Sequence, residues 1–141
     1  AVAMSHHPKL LILDEATSGL DPVVRDDVLD LLNDFTRDED HAVLVSSHIV
    51  SDLEKICDYI AFMHQGCLVL CEGKDRLSEL YGLIRCTKAQ LEELDACAVI
   101  GKRQSPYGVE AVVRRDALPA GMEAGPVDLE ELFVMMVRGR A

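Results

Sequence analysis

Basic side chains are scarce in this sequence. Fourteen Lys and Arg stand against 25 Asp and Glu, a net charge of −11, and such a surface repels phosphate backbones. No nucleic-acid partner is expected. Long apolar runs are missing as well: the longest, residues 132–137, falls far short of the ~20 residues a membrane-spanning helix needs. The chain opens at Ala1 without an initiator Met, and no basic stretch followed by an apolar one comes after it. No signal peptide is read there, and the start is expected to be a cut. The five cysteines, at 57, 67, 71, 86 and 97, form no Cys-x-x-Cys pair, and an odd number suits reduced thiols in a cytosolic setting better than a disulfide framework. Internal repeats and low-complexity tracts are lacking too.

What is present is the balance of a folded protein, 49% apolar and 28% charged over 141 residues, enough for one domain or a piece of a larger one. The charge is uneven. Residues 1–82 hold 16 acids and 6 bases, whereas residues 83–141 hold 9 and 8, which divides the chain into an acidic first domain and a nearly neutral second one.

The first domain is expected to be α/β. Residues 10–13 form an unbroken apolar run, predicting a central strand covered on both faces in a parallel sheet. Asp21 can cap a helix with Pro22 at its first position, and Val24, Val28, Leu31, Leu32 and Phe35 recur at helical spacing to face a core. A second apolar strand follows at residues 42–45, completing a βαβ unit. Ser51 and Glu54 have the spacing of a capping box on a short helix ending near Cys57. Residues 59–63 and 67–71 about the Gln65-Gly66 turn predict a β-hairpin, and residues 74–80 a helix stopped by Gly82. Residues 83–141 are expected to form a small α+β appendage, with strands near 83–86, 99–103 and 108–114. A helix near 88–94, a Pro/Gly-rich connector at 119–126 and a final helix from Asp128 complete it.

The chemistry concentrates in Leu10-Leu11-Ile12-Leu13-Asp14-Glu15-Ala16-Thr17-Ser18-Gly19-Leu20-Asp21-Pro22. Ligands of open α/β sheets bind beyond the carboxyl ends of the strands, so Asp14 and Glu15 would stand at the mouth of a site. Adjacent side chains point to opposite sides and so take different roles. Asp14 suits a Mg²⁺ ion held through a water, and Glu15 the orientation or deprotonation of an attacking water. Taken alone, an apolar run ending in an acid is more often a solvated strand end. Val43-Leu44-Val45-Ser46-Ser47-His48 brings an imidazole to the end of the next strand. There His48 can donate a hydrogen bond to a phosphate or to that water; by itself it would be read as a capped or surface histidine.

Taken together, Leu10 to Asp21 resembles the Walker B and D-loop segment of ABC-type ATPases, with Ala16 where that family more often has Pro, and residues 43–48 resemble its next strand and switch histidine. Residues 52–58 and the following hairpin are similar to the end of an ABC nucleotide-binding domain. The resemblance covers residues 1–82, with residues 1–5 similar to the tail of the helix after the family's signature. The helix at 127–133 looks like the terminal helix of ATPases serving ABC-2 exporters of the bacitracin and lantibiotic group. The resemblance implies a mostly parallel, P-loop NTPase type sheet with flanking helices, of which this chain carries the C-terminal portion. It implies ATP and Mg as cofactors, Glu15 and His48 as catalytic residues, Asp14 as the Mg residue, and Asp14, Ser18, Gly19 and Asp21 as nucleotide-binding residues. Asp21 would lie on the loop that crosses a dimer interface. Implied partners are a second ATPase subunit, as homo- or heterodimer, and membrane permease subunits, at the inner face of the cell membrane.

The phosphate-cradling motif G-x-x-x-x-G-K-[ST] is absent. Gly-Lys occurs only at 73–74 and 101–102, where the earlier glycine is replaced by Leu68 or Ala96 and the next residue is Asp75 or Arg103. The family's signature segment is missing too, so the chain by itself is expected to be inactive. The rival readings are a non-catalytic regulatory module derived from such an ATPase, a soluble ABC-type ATPase outside transport, and a phosphoacceptor receiver using Asp14. Cys67 and Cys71 are expected to be packing thiols. His6, His7, His41 and His64 lack zinc-ligand spacing, and residues 37–40 are expected to be a solvated loop.

Overall fold

A computed structural model describes residues 2–106 and 108–139, so of the helix tail suggested for residues 1–5, Ala1 lies outside the described residues. The elements run β1 (Leu10–Asp14), α1 (Pro22–Phe35), β2 (Ala42–Ser46), α2 (Val50–Ile56), β3 (Tyr59–His64), β4 (Cys67–Gly73), α3 (Lys74–Leu80), β5 (Tyr81–Cys86), α4 (Lys88–Glu92), β6 (Val99–Ser105), β7 (Gly108–Arg114) and α5 (Leu129–Arg138). They group into two compact units that meet in sequence between Cys57 and Asp58. The fold is mixed α/β. The charge boundary at 82/83 falls inside β5.

In the first unit β1 and β2 pair in parallel, from Leu10 opposite Ala42 to Asp14 opposite Ser46. Two residues with opposite signals start the connecting helix. Asp21, in extended backbone, accepts hydrogen bonds from the Val23 and Val24 amides at 3.1 and 3.2 Å, and Pro22 follows where no amide is needed.

Three expectations for this unit are corrected. Leu11 is buried, but Leu10 is 54% and Ile12 70% exposed, and Leu44 beside them on β2 is 62% exposed. One face of the strand pair is therefore uncovered within the first unit, which supplies no second layer for it. On α1, Leu29 and Leu32 are buried while Val24 and Leu31 are exposed, so the inward stripe is rotated toward Leu29. The helix after His48 starts at Val50 without a side-chain cap, which places Ser51 inside it; a capping hydroxyl must stand before the helix. The nearby hydroxyl that does bond the backbone is Ser47, whose Oγ accepts from the Ile49 amide at 3.0 Å.

In the second unit β3 and β4 form the expected hairpin, with Gln65 and Gly66 both at positive φ, 48° and 75°, as a tight primed turn requires. Ile60 and Phe62 are buried, and Phe62 meets Phe133 of α5 with ring centroids 4.8 Å apart. Cys67 and Cys71 are exposed rather than packed. Gly82 does not stop α3: Tyr81 ends it, and Gly82 lies within β5, where a Cβ would come 2.5 Å from that of Ala124.

The rest of the second unit is built on an antiparallel sheet in the order β5-β7-β6. Its central strand carries Ala111, Val112 and Val113 with no exposure. Ala111 and Val113 join Ile84 and Leu94 in one cluster, and α5 lies against β6 and β7 through Leu132, Met135 and Met136. Each fully buried Val, Leu, Ile or Met side chain there contributes about 1.5 to 3 kcal/mol. The helix approaches so closely that a Cβ on Gly101 would stand 2.2 Å from the Met135 carbonyl oxygen. Asp128 caps α5, accepting from the Glu131 amide at 2.6 Å.

Glu110 on β7 accepts from Arg103 Nε at 2.8 Å and Arg85 Nε at 2.9 Å. The Arg103 bond, then the Arg85 bond, holds its carboxyl below the ordinary glutamate range. A depressed carboxylate stabilises the fold above the unfolded pKa, and that contribution is lost as the pH falls through the folded one. Glu110→Gln should therefore lower the melting temperature at pH 7, and the gap from wild type should close as the pH is taken below the glutamate range. A gap independent of pH in thermal melts would contradict this origin.

Candidate functional site

The site is built by one piece of geometry, the parallel ladder that brings the carboxyl ends of β1 and β2 side by side. Asp14 is the last residue of β1 and its register partner is Ser46, the last of β2. The Ser46 hydroxyl donates a hydrogen bond to Asp14 Oδ1. This fixes one carboxylate oxygen and leaves the other, on an exposed side chain, to accept from water.

The chain then turns sharply. Glu15 takes a left-handed backbone, φ 48°, while its amide donates to the Ser46 carbonyl at 2.9 Å. A non-glycine residue in that region costs on the order of 1 kcal/mol or more, and such strain persists where surrounding contacts over-determine it. Simple strand alternation between the two acids is thereby broken. They nevertheless have separate partners, Asp14 with Ser46 and Glu15 with His48.

Glu15 Oε2 and His48 Nδ1 are 2.8 Å apart. With an ionised carboxylate as acceptor the Nδ1 proton is the donor, leaving Nε2 as the ring's other hydrogen-bonding atom. The side chains are 40% and 71% exposed, so a ligand can reach both.

The other sequence candidates lie along the loop from β1 to α1. The Ser18 amide donates to the Glu15 carbonyl at 3.1 Å, closing a turn; Ser18 and Gly19 are both exposed. Gly19 has φ 74°, where a side chain would be strained. Asp21 uses its carboxylate on the α1 amides, apart from the Asp14, Glu15 and His48 group. His41 stacks on Phe35, its Nδ1 3.2 Å from the Phe35 carbonyl oxygen, and His64 meets the edge of Phe133, both local roles.

Sequence reasoning missed three residues. Ser46 was readable only from the register, as the residue opposite Asp14. Thr17 and Asp52, 3% and 4% exposed, hydrogen-bond to each other at 2.8 Å, and no motif signals that pairing.

Asp14 keeps one carboxylate oxygen beyond the one that Ser46 engages, and among the described residues no group of three or more His, Cys, Asp or Glu side chains is placed to share a metal ion. Among the described residues, no helix is long and apolar enough to cross a membrane.

No protein-family model matches the chain. Curated proteins do. It is 37% identical over 84 residues to the lantibiotic transport ATP-binding protein SrtF of Streptococcus pyogenes, covering 57% of this chain and 36% of that protein. It is 29% identical over 151 aligned positions to the ABC transporter ATP-binding protein YtrB of Bacillus subtilis, covering 99% of this chain and 52% of that one. To the bacitracin transport ATP-binding protein BcrA of Enterococcus faecalis it is 41% identical over 69 residues, 49% of this chain and 22% of that one. The chain thus spans about half the length, or less, of the curated relatives it matches.

Proposed function

We propose, from the premise that this chain is a counterpart of ABC transporter ATP-binding proteins of the lantibiotic and bacitracin transport type, that it is the C-terminal portion of an ATPase subunit coupling ATP hydrolysis to export. In this reading β1 with Asp14 and Glu15 is the Walker B strand, Ser18, Gly19 and Asp21 belong to the D-loop, and His48 is the switch histidine. Residues 1–82 belong to the nucleotide-binding domain and residues 83–141 form the appendage. The subunit works as a dimer with membrane permease subunits, at the inner face of the membrane.

The observation that carries the reading is the 2.8 Å contact of Glu15 with His48, beside Asp14 at the carboxyl ends of two parallel strands. Added support comes from the apolar face of Leu10, Ile12 and Leu44, which further strands and helices of a larger parallel sheet would cover.

Asp14 would hold Mg²⁺ through water, and the bound ion supplies charge neutralisation to the phosphates. Glu15 accepts a proton from the attacking water as its oxygen bonds to the γ-phosphorus. The bond from that phosphorus to the β–γ bridging oxygen breaks, and its electron pair leaves with ADP. His48, joined to Glu15 through Nδ1, holds the carboxylate in place and can offer a proton from Nε2 toward the γ-phosphate when doubly protonated.

The test is MgATP hydrolysis by the purified full-length protein, with and without chelator, and co-purification of a permease. Magnesium-dependent phosphate release is expected. The 141-residue chain alone should release none, for want of the G-x-x-x-x-G-K-[ST] loop. Hydrolysis by that chain, lost on mutating Glu15, would overturn this assignment of the phosphate contacts.

A further inference from the structure

Glu15 and His48 are both exposed, and one hydrogen bond between exposed side chains orients those two groups without fixing the backbones of the loops that carry them. What keeps their two loops in register must lie elsewhere. The ladder supplies one fixed point, the Glu15 amide on the Ser46 carbonyl. A second lies underneath. Thr17, two residues beyond Glu15, donates from Oγ1 to Asp52 Oδ2 at 2.8 Å; Asp52 stands in the first turn of α2, four residues beyond His48. Arg25 of α1 completes the group. Its Nε lies 4.0 Å from the same Asp52 oxygen, buried and without a hydrogen-bond partner, and its Nη2 donates to the Leu20 carbonyl at 3.4 Å.

Thr17 and Asp52 are the buried polar side chains among the described residues, in a chain whose other acids reach water. A buried carboxylate is a poor means of adding stability. Its desolvation consumes most of what pairing returns, and apolar replacements of the whole group are often neutral or better. What such a group does supply is direction: a hydroxyl and a carboxylate at hydrogen-bond distance are tied in both separation and angle, which non-directional aliphatic contacts are not. Catalytic geometry is sensitive on that scale, a displacement of about 1 Å costing up to ~10² in rate.

We infer that Thr17 and Asp52 form a buried positioning link that holds the loop of Glu15 against the segment of His48. The inference rests on the proposed ATPase reading only for its consequence in rate; the link itself is a statement about loop geometry. Thr17 and Asp52 are positioning residues: both are buried and bond to each other.

The experiment compares Thr17→Ser with the paired replacement Thr17→Val/Asp52→Leu in the full-length protein, following ATP hydrolysis together with hydrogen exchange of the amides at 15–20. The paired replacement keeps the interior filled without the link. It should retain a cooperative thermal transition and the KM for ATP, lower kcat by about 10 to 10²-fold, and speed exchange at 15–20 several-fold. Thr17→Ser, which keeps the hydroxyl, should restore both values toward wild type. If the paired replacement does not fold, Thr17→Ala against Thr17→Ser makes the same comparison with Asp52 retained. Wild-type kcat and unchanged exchange in the hydroxyl-less variant would overturn the link. A wild-type protein that hydrolyses no ATP, with exchange at 15–20 still responding, would instead remove the ATPase reading and leave the link standing. A kcat loss that Thr17→Ser fails to repair would assign Thr17 a packing role and overturn the proposal.

Discussion

Glu15→Gln in the full-length protein is expected to reduce kcat for ATP hydrolysis by about 10² to 10⁴-fold, the usual contribution of a positioned general base, while leaving ATP binding in place. The substitution isolates the proton-accepting function because it changes little else. Gln has the same length, and its side-chain oxygen can still accept from the Nδ1 proton of His48, a contact of 2.8 Å in the wild type. Its backbone must adopt the same left-handed conformation at φ 48°, at a cost Glu already bears. What is lost is a carboxylate able to take a proton from water. Single-turnover phosphate release and equilibrium nucleotide binding on the same preparation separate the two effects. Slow hydrolysis with tight binding is the expected pair; an unchanged rate would take Glu15 out of the reaction and return it to the status of a solvated strand end. Asp14→Asn, by contrast, should weaken the response to Mg²⁺, because the oxygen left free by Ser46 loses its charge.

Much of this arrangement was readable in the residues because its causes are local. Asp21 before Pro22 announces a helix start whatever surrounds it, and Gln65-Gly66 between two apolar runs announces a hairpin; both are found where expected. The proximity of Asp14, Glu15 and His48 needed one long-range step, the parallel pairing of β1 with β2, which βαβ geometry makes the default. Features that failed depend on what covers an element. The apolar run from Leu10 to Leu13 shows that a strand can be buried on both faces, not that a second layer is there, and Ile12 is largely exposed. On α1 the spacing predicts Leu31 inward, whereas the structure buries Leu29, a rotation settled by packing partners rather than by spacing. Thr17 and Asp52 escaped notice for a different reason. Thirty-five residues separate them, and a lone Thr or Asp carries no sign of whether it will meet water or another side chain.

The bond between Glu15 and His48 makes a second large effect predictable, together with its lack of additivity. His48→Ala removes both the donor that orients Glu15 and the Nε2 group available to a phosphate, and is expected to lower kcat by about 10² to 10³-fold, in the range seen for removal of a transition-state hydrogen-bond donor. If the two side chains act as one unit, the loss is not cumulative. With Glu15 already converted to Gln, deleting the imidazole should cost far less than it does in the wild type, because the carboxylate it positions is gone. Independent roles would multiply the two losses. The four-member cycle of wild type, Glu15→Gln, His48→Ala and the double variant, measured as kcat at saturating MgATP, distinguishes these cases. Strict multiplicativity would mean that the 2.8 Å contact is a resting arrangement with no part in turnover, leaving His48 to act on the phosphate alone. A strongly sub-multiplicative result would identify the pair as one acid–base unit, held across two strand ends by the parallel register beneath it.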